Sequence, residues 1–446
     1  MRKKLAIAAA IILLLLLSFI GVLRYRQYSS YKVPVHAGAQ TIIKVNADDF
    51  LKMFVSNYGI NFKKKITNNE KKAKEPSINT GIWLPGNLFI YNLSSLKPAT
   101  LFCTLPVFNQ QDFILFAQKK WKLLFVKKDG IYFGNNQAGT LNVACNKDYI
   151  SFAWSPAKEN VQSYLKEILS SKNLGEQHAA VAARLKEQHL PLAAINGNNV
   201  FSLNFNGNQL LLHALLDSVS GFALPANFQQ RSYAADTHSY FSFNGILSPS
   251  LFKKEYNIKQ YKLATDSILP YFQGYLDLQL GPNSIQKDSI STYEYDDNFE
   301  KVAKLTITDV QVPSLQLSVN ALPGLLQYLK RQQIISAGMQ LNPEVFPLYQ
   351  VGVRQQDAEL QFSTSGNSVK QVFTGSGNFL ALKLDVEKIA AQVNLSLLEE
   401  YIKNILQLEM QGTRKQDKMI IEGKLLFKGS AIKEVISIAK TFYQQK

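Results

Sequence analysis

The sequence predicts an α+β fold: antiparallel β-sheets with helices packed on one face, two or three subdomains, and an N-terminal transmembrane helix. Three observations carry this. Apolar and polar residues alternate with period two in many short runs, as in Phe201-Ser202-Leu203-Asn204-Phe205, Leu276-Asp277-Leu278-Gln279-Leu280 and Leu315-Gln316-Leu317-Ser318-Val319. Such strands have one wet and one buried face, the mark of antiparallel rather than fully covered parallel sheets. Helical stripes are interspersed among them. An uncharged run, Leu5–Leu23, opens the chain.

Met1–Lys4 is a basic tip holding Arg2, Lys3 and Lys4. At 1.5 Å per residue, Leu5–Leu23 spans about 28 Å, close to the roughly 30 Å hydrocarbon core of a bilayer. Arg24 and Arg26 end it, and no small-residue cleavage site intervenes. Residues 1–24 therefore read as a cytoplasmic tip and an uncleaved signal anchor, with a cleaved signal peptide as the alternative. The rest of the chain is then exported, and periplasmic if the cell is Gram-negative.

Residues 25–40, with Pro34 and Gly38, read as a stalk. Three α+β subdomains follow, at 41–172, 173–335 and 336–446. A helix over Pro156–Ser171 would bury Val161, Leu165 and Leu169. Ser396-Leu397-Leu398-Glu399 has the form of a capping box opening a helix with Ile402 and Ile405–Leu406 on one side. Ser430 can cap a last helix with Ile432, Val435, Ile436 and Ala439 on one stripe. Asn-Gly pairs at 196–197, 206–207 and 244–245 signal turns. A pattern of apolar-x-apolar-Asn/Asp ends strand-like runs at Asn46, Asn92, Asn206, Asn320 and Asp385, as if each strand turned into a helix.

The 446 residues hold 49 Lys+Arg against 33 Asp+Glu, a net +16. The excess is local: residues 1–150 carry 21 basic and 7 acidic side chains, leaving 28 and 26 for the remainder. A nucleic-acid partner is therefore not indicated. Six of these basic side chains, Lys63, Lys64, Lys65, Lys71, Lys72 and Lys74, lie with Glu70 and Glu75 in a polar loop, 61–76. A solvated loop is one reading. Contact with an anionic lipid or cell-wall polymer is the other, because the loop is near the anchor and each Lys beside an anionic membrane is worth about 1 kcal/mol.

Two cysteines occur, Cys103 and Cys145, both on strand-like alternations. In an oxidising compartment they could pair; two buried reduced thiols are the alternative. Catalytic and cofactor motifs are missing. There is no G-x-S-x-G, no H-E-x-x-H, no phosphate loop and no EF-hand. Glu176-Gln177-His178 and Glu187-Gln188-His189 would share one helical face, but about 16 Å apart, too far for one ion. The acidic stretch Glu294–Glu300 lacks a glycine and reads as a solvated turn between strands. No catalytic residue, cofactor or metal is assigned.

In the Gly377–Val393 strand and helix, the Leu406–Lys428 strand pair and the helix after Gly429, the chain resembles single-pass, membrane-anchored, exported bacterial proteins without an assigned activity. The resemblance implies location and architecture. The leading expectation is a non-enzymatic envelope protein whose ectodomain binds a protein, lipid or polymer. An envelope enzyme with a site dispersed in sequence, and a subunit of a membrane assembly, are the alternatives.

Overall fold

The computed structural model describes residues 21–58, 79–217, 222–248, 254–295, 299–365, 373–393, 395 and 398–444. Its strands pair antiparallel and its helices are interspersed, an α+β arrangement. The chain divides into two units, 1–205 and 206–446. The expected boundaries at 172/173 and 335/336 fall elsewhere, inside packed structure. Lys172 O accepts from Val35 N, and Ile335 is buried in a cluster with Leu329 and Val353.

The first unit begins with a helix over 21–30 (α1). There follow β1 (Ala39–Asn46), α2 (Ala47–Tyr58), β2 (Asn87–Leu93), β3 (Leu101–Pro106) and α3 (Gln110–Trp121). A meander comes next: β4 (Leu124–Lys128), β5 (Ile131–Asn135), β6 (Leu141–Cys145) and β7 (Tyr149–Trp154). Then come α4 (Gln162–Ser170), α5 (Leu174–Gln177), α6 (Ala179–Glu187) and the hairpin of β8 (Leu192–Asn196) and β9 (Asn199–Asn206). The sheet order is β9-β8-β1-β2-β3-β7-β6-β5-β4.

Helices on one face were expected; this sheet is covered on both. Phe113, Ile114 and Ala117 of α3 pack on Val143, Cys145 and Ile150. Phe102, Ala144 and Ala153 alternate to the opposite face and are fully buried too, where α4 lies against β6 and β7. The second set mixes apolar with small polar residues, and Thr104 and Ser151 are buried within it. Fully burying a side chain such as Phe113 contributes about 1.5–3 kcal/mol.

The expected stalk is also part of this unit. Tyr31, Val33 and Val35 are buried, Leu174 N donates to Val33 O at 3.0 Å, and Ser30 Oγ accepts from Asn87 at 2.9 Å. The anchor run Leu5–Leu23 lies outside the described residues except for 21–23. Among the described residues no helix is long and apolar enough to cross a membrane.

The second unit contains β10 (Gln209–Leu216), β11 (Phe222–Ala223), β12 (Phe228–Arg231), β13 (Ser239–Asn244), β14 (Ile246–Leu247), β15 (Glu255–Ile258), β16 (Tyr261–Ala264) and α7 (Thr265–Ile268). Two long strands follow, β17 (Phe272–Tyr295) and β18 (Lys301–Ala321), then α8 (Gly324–Arg331), β19 (Gly352–Gln356), β20 (Glu359–Ser363), β21 (Phe373–Ser376) and β22 (Asn378–Asp385). The unit closes with α9 (Val386–Gln392), α10 (Glu399–Ile402), β23 (Ile405–Lys415), β24 (Lys418–Phe427) and α11 (Ala431–Gln444). Its main sheet runs β10-β24-β23-β22-β13-β17-β18-β20-β19. The expected long helix after Glu399 is only α10, because Ile405 already pairs with Phe427 in β23–β24.

Of the five expected strand-to-helix corners, two use the capping side chain. Asn46 Oδ1 accepts from Asp49 N, and Asp385 Oδ1 from Lys388 N. Asn92 instead accepts from Thr41 N across the sheet, and Asn206-Gly207 leads into another strand.

Candidate functional site

The residues expected to matter are placed as follows. Lys63, Lys64, Lys65, Lys71, Lys72 and Lys74 lie outside the described residues. Cys103 and Cys145 are free thiols. The disulfide reading is corrected by the sheet: Cys103 pairs with Phe152 and Cys145 with Ile150, so β7 runs between them. Two strand spacings are about 10 Å, beyond the Cα separation of roughly 4.4–6.8 Å that a disulfide spans. Burial pushes the Cys103 thiol up to about 12 and Cys145 up to about 11, which leaves both poor nucleophiles. The two Glu-Gln-His triplets do not share a helix. The chain breaks between α5 and α6 at His178, whose Nε2 meets His36 O at 2.9 Å. Among the described residues no group of three or more His, Cys, Asp or Glu is placed to hold a metal ion.

Three features not singled out by the sequence emerge. The first, in the first unit, is a cavity of about 570 Å³ bounded by α1, β1, α2 and the end of α6. Its floor is Lys44, 3% exposed, whose Nζ donates to Leu185 O at 2.7 Å and to Gln188 O. Burial draws the Lys44 amine down to about 8, partly opposed by Asp49. The wall carboxylates are occupied. Asp48 meets Arg26 at 3.0 Å and Gln27 at 2.8 Å; Asp49 meets Asn46 at 2.7 Å and Lys52 at 3.2 Å.

The second feature is a buried ion cluster in the second unit. Arg231 Nε donates to Asp277 Oδ2 at 2.9 Å, and its Nη2 pairs with Glu359 Oε1 at 2.5 Å. The guanidinium sits 4.5 Å from the Phe373 ring centre. Gln279 donates to Asp277 and Gln361 to Glu359. Burial pushes the Asp277 carboxyl up more than Arg231 pulls it down. Burial also pulls the guanidinium down, and Asp277 with Glu359 more than reverses that. The expected wet face of Leu276–Leu280 is thus the more buried one. Asp277 and Gln279 are buried, while Leu276, Leu278 and Leu280 are only half-buried.

The third is the outer part of the β17–β18 hairpin. Past Leu280 and Leu315, neither strand has another strand partner among the described residues. From Asn283 to Tyr295, at about 3.3 Å per residue, the ribbon runs about 40 Å. Its register places Ile285, Ile307, Leu305, Tyr293 and Tyr295 on one face. These five are 60–69% exposed. Lys301 Nζ lies 4.5 Å from the Tyr293 ring centre, and Lys304 pairs with Glu294 at 2.8 Å on the other face. Of the acidic stretch Glu294–Glu300, Glu294 and Tyr295 end β17, and residues 296–298 lie outside the described residues.

No family model matches the chain, and no curated protein matches it. Solved structures of TP0453 are similar to part of it. Crystal form III matches at 9% identity over 74% of this chain and 92% of that chain, with a TM-score of 0.22. Crystal form I matches at 9% identity over 74% and 88%, with a TM-score of 0.21. Likeness of that degree bears on neither fold nor function.

Proposed function

We propose that the protein is a membrane-anchored envelope protein whose exported ectodomain is a binding or scaffold module. The membrane attachment rests on the sequence run Leu5–Leu23. The observation that carries the binding role is the exposed cluster of Ile307, Leu305, Tyr293 and Tyr295 on one face of the β17–β18 ribbon, which Lys287 and Asp309 separate from Ile285. A two-stranded hairpin is marginal in water alone, and contiguous exposed apolar surface marks an interaction site. The sequence between the two strands is acidic, with Asp296, Asp297 and Glu300. That charge opposes contact with anionic lipid and suits a protein partner whose apolar strip is bordered by basic side chains. The Arg231 and Asp277 side chains converge but are closed to solvent, so they lend an enzyme reading no support.

The test is site-specific photo-crosslinking in native membranes from position 293, with and without the pair Leu305→Glu/Ile307→Glu. These positions are exposed, so stability should change by less than about 0.5 kcal/mol. The expected result is one discrete adduct with an envelope protein that the Glu pair abolishes. Absence of an adduct, or an adduct indifferent to the Glu pair, overturns the reading.

A further inference from the structure

The cavity beneath α1 has an excess of cations over anions at its mouth and floor. Asp48 and Asp49 are both held by donors of their own. Arg24, on the wall, makes no ion pair among the described residues, and neither does Lys186, whose amine lies 5.1 Å from the Tyr31 ring centre. Lys44 supplies a third, buried cation. Its ammonium has three N–H groups, and two are spent on the carbonyls of Leu185 and Gln188. A buried ammonium with a donor to spare, and two cations without carboxylates, form a site for an anion with several acceptor oxygens. Leu23 and the rings of Tyr28 and Tyr31 add an apolar wall. Leu23 is also the last residue of the uncharged run, so the cavity opens where that run ends.

We propose that this cavity binds a phosphate-bearing anion through Arg24, Lys44 and Lys186, and that the phosphate is that of a lipid headgroup at the membrane surface. The choice of a lipid source rests on the anchored reading above; the anion site does not. Phosphate oxygens would take the spare Lys44 donor at the floor. The Arg24 guanidinium offers a fork suited to two of those oxygens. Lys186, at the C-terminal turn of α6, closes the other side.

The experiment uses the full chain in detergent and in nanodiscs. Binding of glycerol 3-phosphate is measured by calorimetry in detergent, and retention of phosphatidylglycerol against phosphatidylcholine by native mass spectrometry from mixed nanodiscs. Arg24→Gln/Lys186→Gln changes two exposed side chains and should leave the unfolding midpoint in place. Lys44→Met tests the floor. The expected result is glycerol 3-phosphate binding that weakens about tenfold or more in the double variant and in Lys44→Met, with phosphatidylglycerol enriched on the wild-type chain only. Absence of glycerol 3-phosphate binding at millimolar concentration, or equal binding by the double variant, overturns the site. Extraction of the chain by alkaline carbonate, together with variant-sensitive glycerol 3-phosphate binding, overturns the lipid source and the anchored reading while supporting the anion site. A chain that resists extraction and binds nothing overturns the site alone.

Discussion

A lysine on the buried side of a sheet keeps its charge only against the cost of leaving water. Lys44 shares its face with Ile42 and stands opposite Phe89 and Ala193. In the unfolded chain its amine loses its proton near pH 10.4, and in the fold near 8. Between those values the unfolded chain binds more protons, so stability rises with pH across that window, and the cost is complete below about pH 8. Urea unfolding of the wild type and of Lys44→Met at pH 7 and pH 10 measures this. Relative to the variant, the wild type should gain about 2–3 kcal/mol between the two pH values; a constant difference refutes it. The sequence could have pointed to Lys44, because Ile42 has its parity. Ile43 and Val45, of the opposite parity, are equally apolar, so the alternation alone does not choose between the faces; these two are half-buried. Arg231 was less legible still. Nothing near it in sequence foretells Asp277 and Glu359, which are brought to it by β17 and β20. The cysteines were legible in part: their strands were evident, but which strand lies between them is a matter of pairing order.

Elements were recovered best where a local signal and the tertiary pattern agree. The last helix, Ala431–Gln444, begins directly after Ser430, and the Asn196-Gly197 turn joins β8 to β9 with Gly197 at φ +55°. Pro34 and Gly38 suggest a stalk, but the alternation Tyr31, Val33, Val35 prevails, and all three are buried. The polar row of β17 is the converse case. Asp277 and Gln279 look like a wet face, yet Arg231 pairs with the buried Asp277 and Gln279 donates to it, a long-range compensation that no window of sequence contains. One cap went unnoticed: Asn109, whose Oδ1 accepts from Gln111 N and Asp112 N at the start of α3. The segment before it is tight. Gly81, at φ +64°, receives the amides of Phe108 and Asn109 on its carbonyl, and a Cβ there would lie 2.2 Å from Asn109 O. Because α3 carries the core residues Phe113 and Ala117, fraying its first turn loosens that cluster. Asn109→Ala should cost about 1 kcal/mol in urea unfolding, and Asn109→Asp should restore most of it. Equal stability of the three chains would show that the cap contributes nothing.

At the scale of the whole molecule, charge is the property most legible in the sequence, because it needs no fold to be counted. The net +16 is concentrated in the first 150 residues, beside the uncharged run. Within the first unit, α1 is docked rather than free, with Gln27 bonded to Asp48 and Ser30 to Asn87. A run ending at Leu23 and continuing into a docked helix holds this unit close to the bilayer if the run spans it, and no flexible spacer intervenes. Residues 61–76, with six lysines, follow α2 in sequence and lie outside the described residues. Each lysine would contribute about 1 kcal/mol near an anionic surface, and that attraction decays over a Debye length of about 8 Å at physiological salt. Removing the uncharged run isolates this term from the proposed anchor. A chain beginning at residue 21 keeps all of α1 and should co-sediment with phosphatidylglycerol vesicles at low salt. Its binding should fall steeply as salt is raised, and Gln at positions 63, 64, 65, 71, 72 and 74 should reduce it about tenfold or more. Phosphatidylcholine vesicles should bind neither chain. Equal sedimentation of the two chains with phosphatidylglycerol would assign the basic excess to solubility alone, and leave the proposed anchor as the sole basis for membrane attachment.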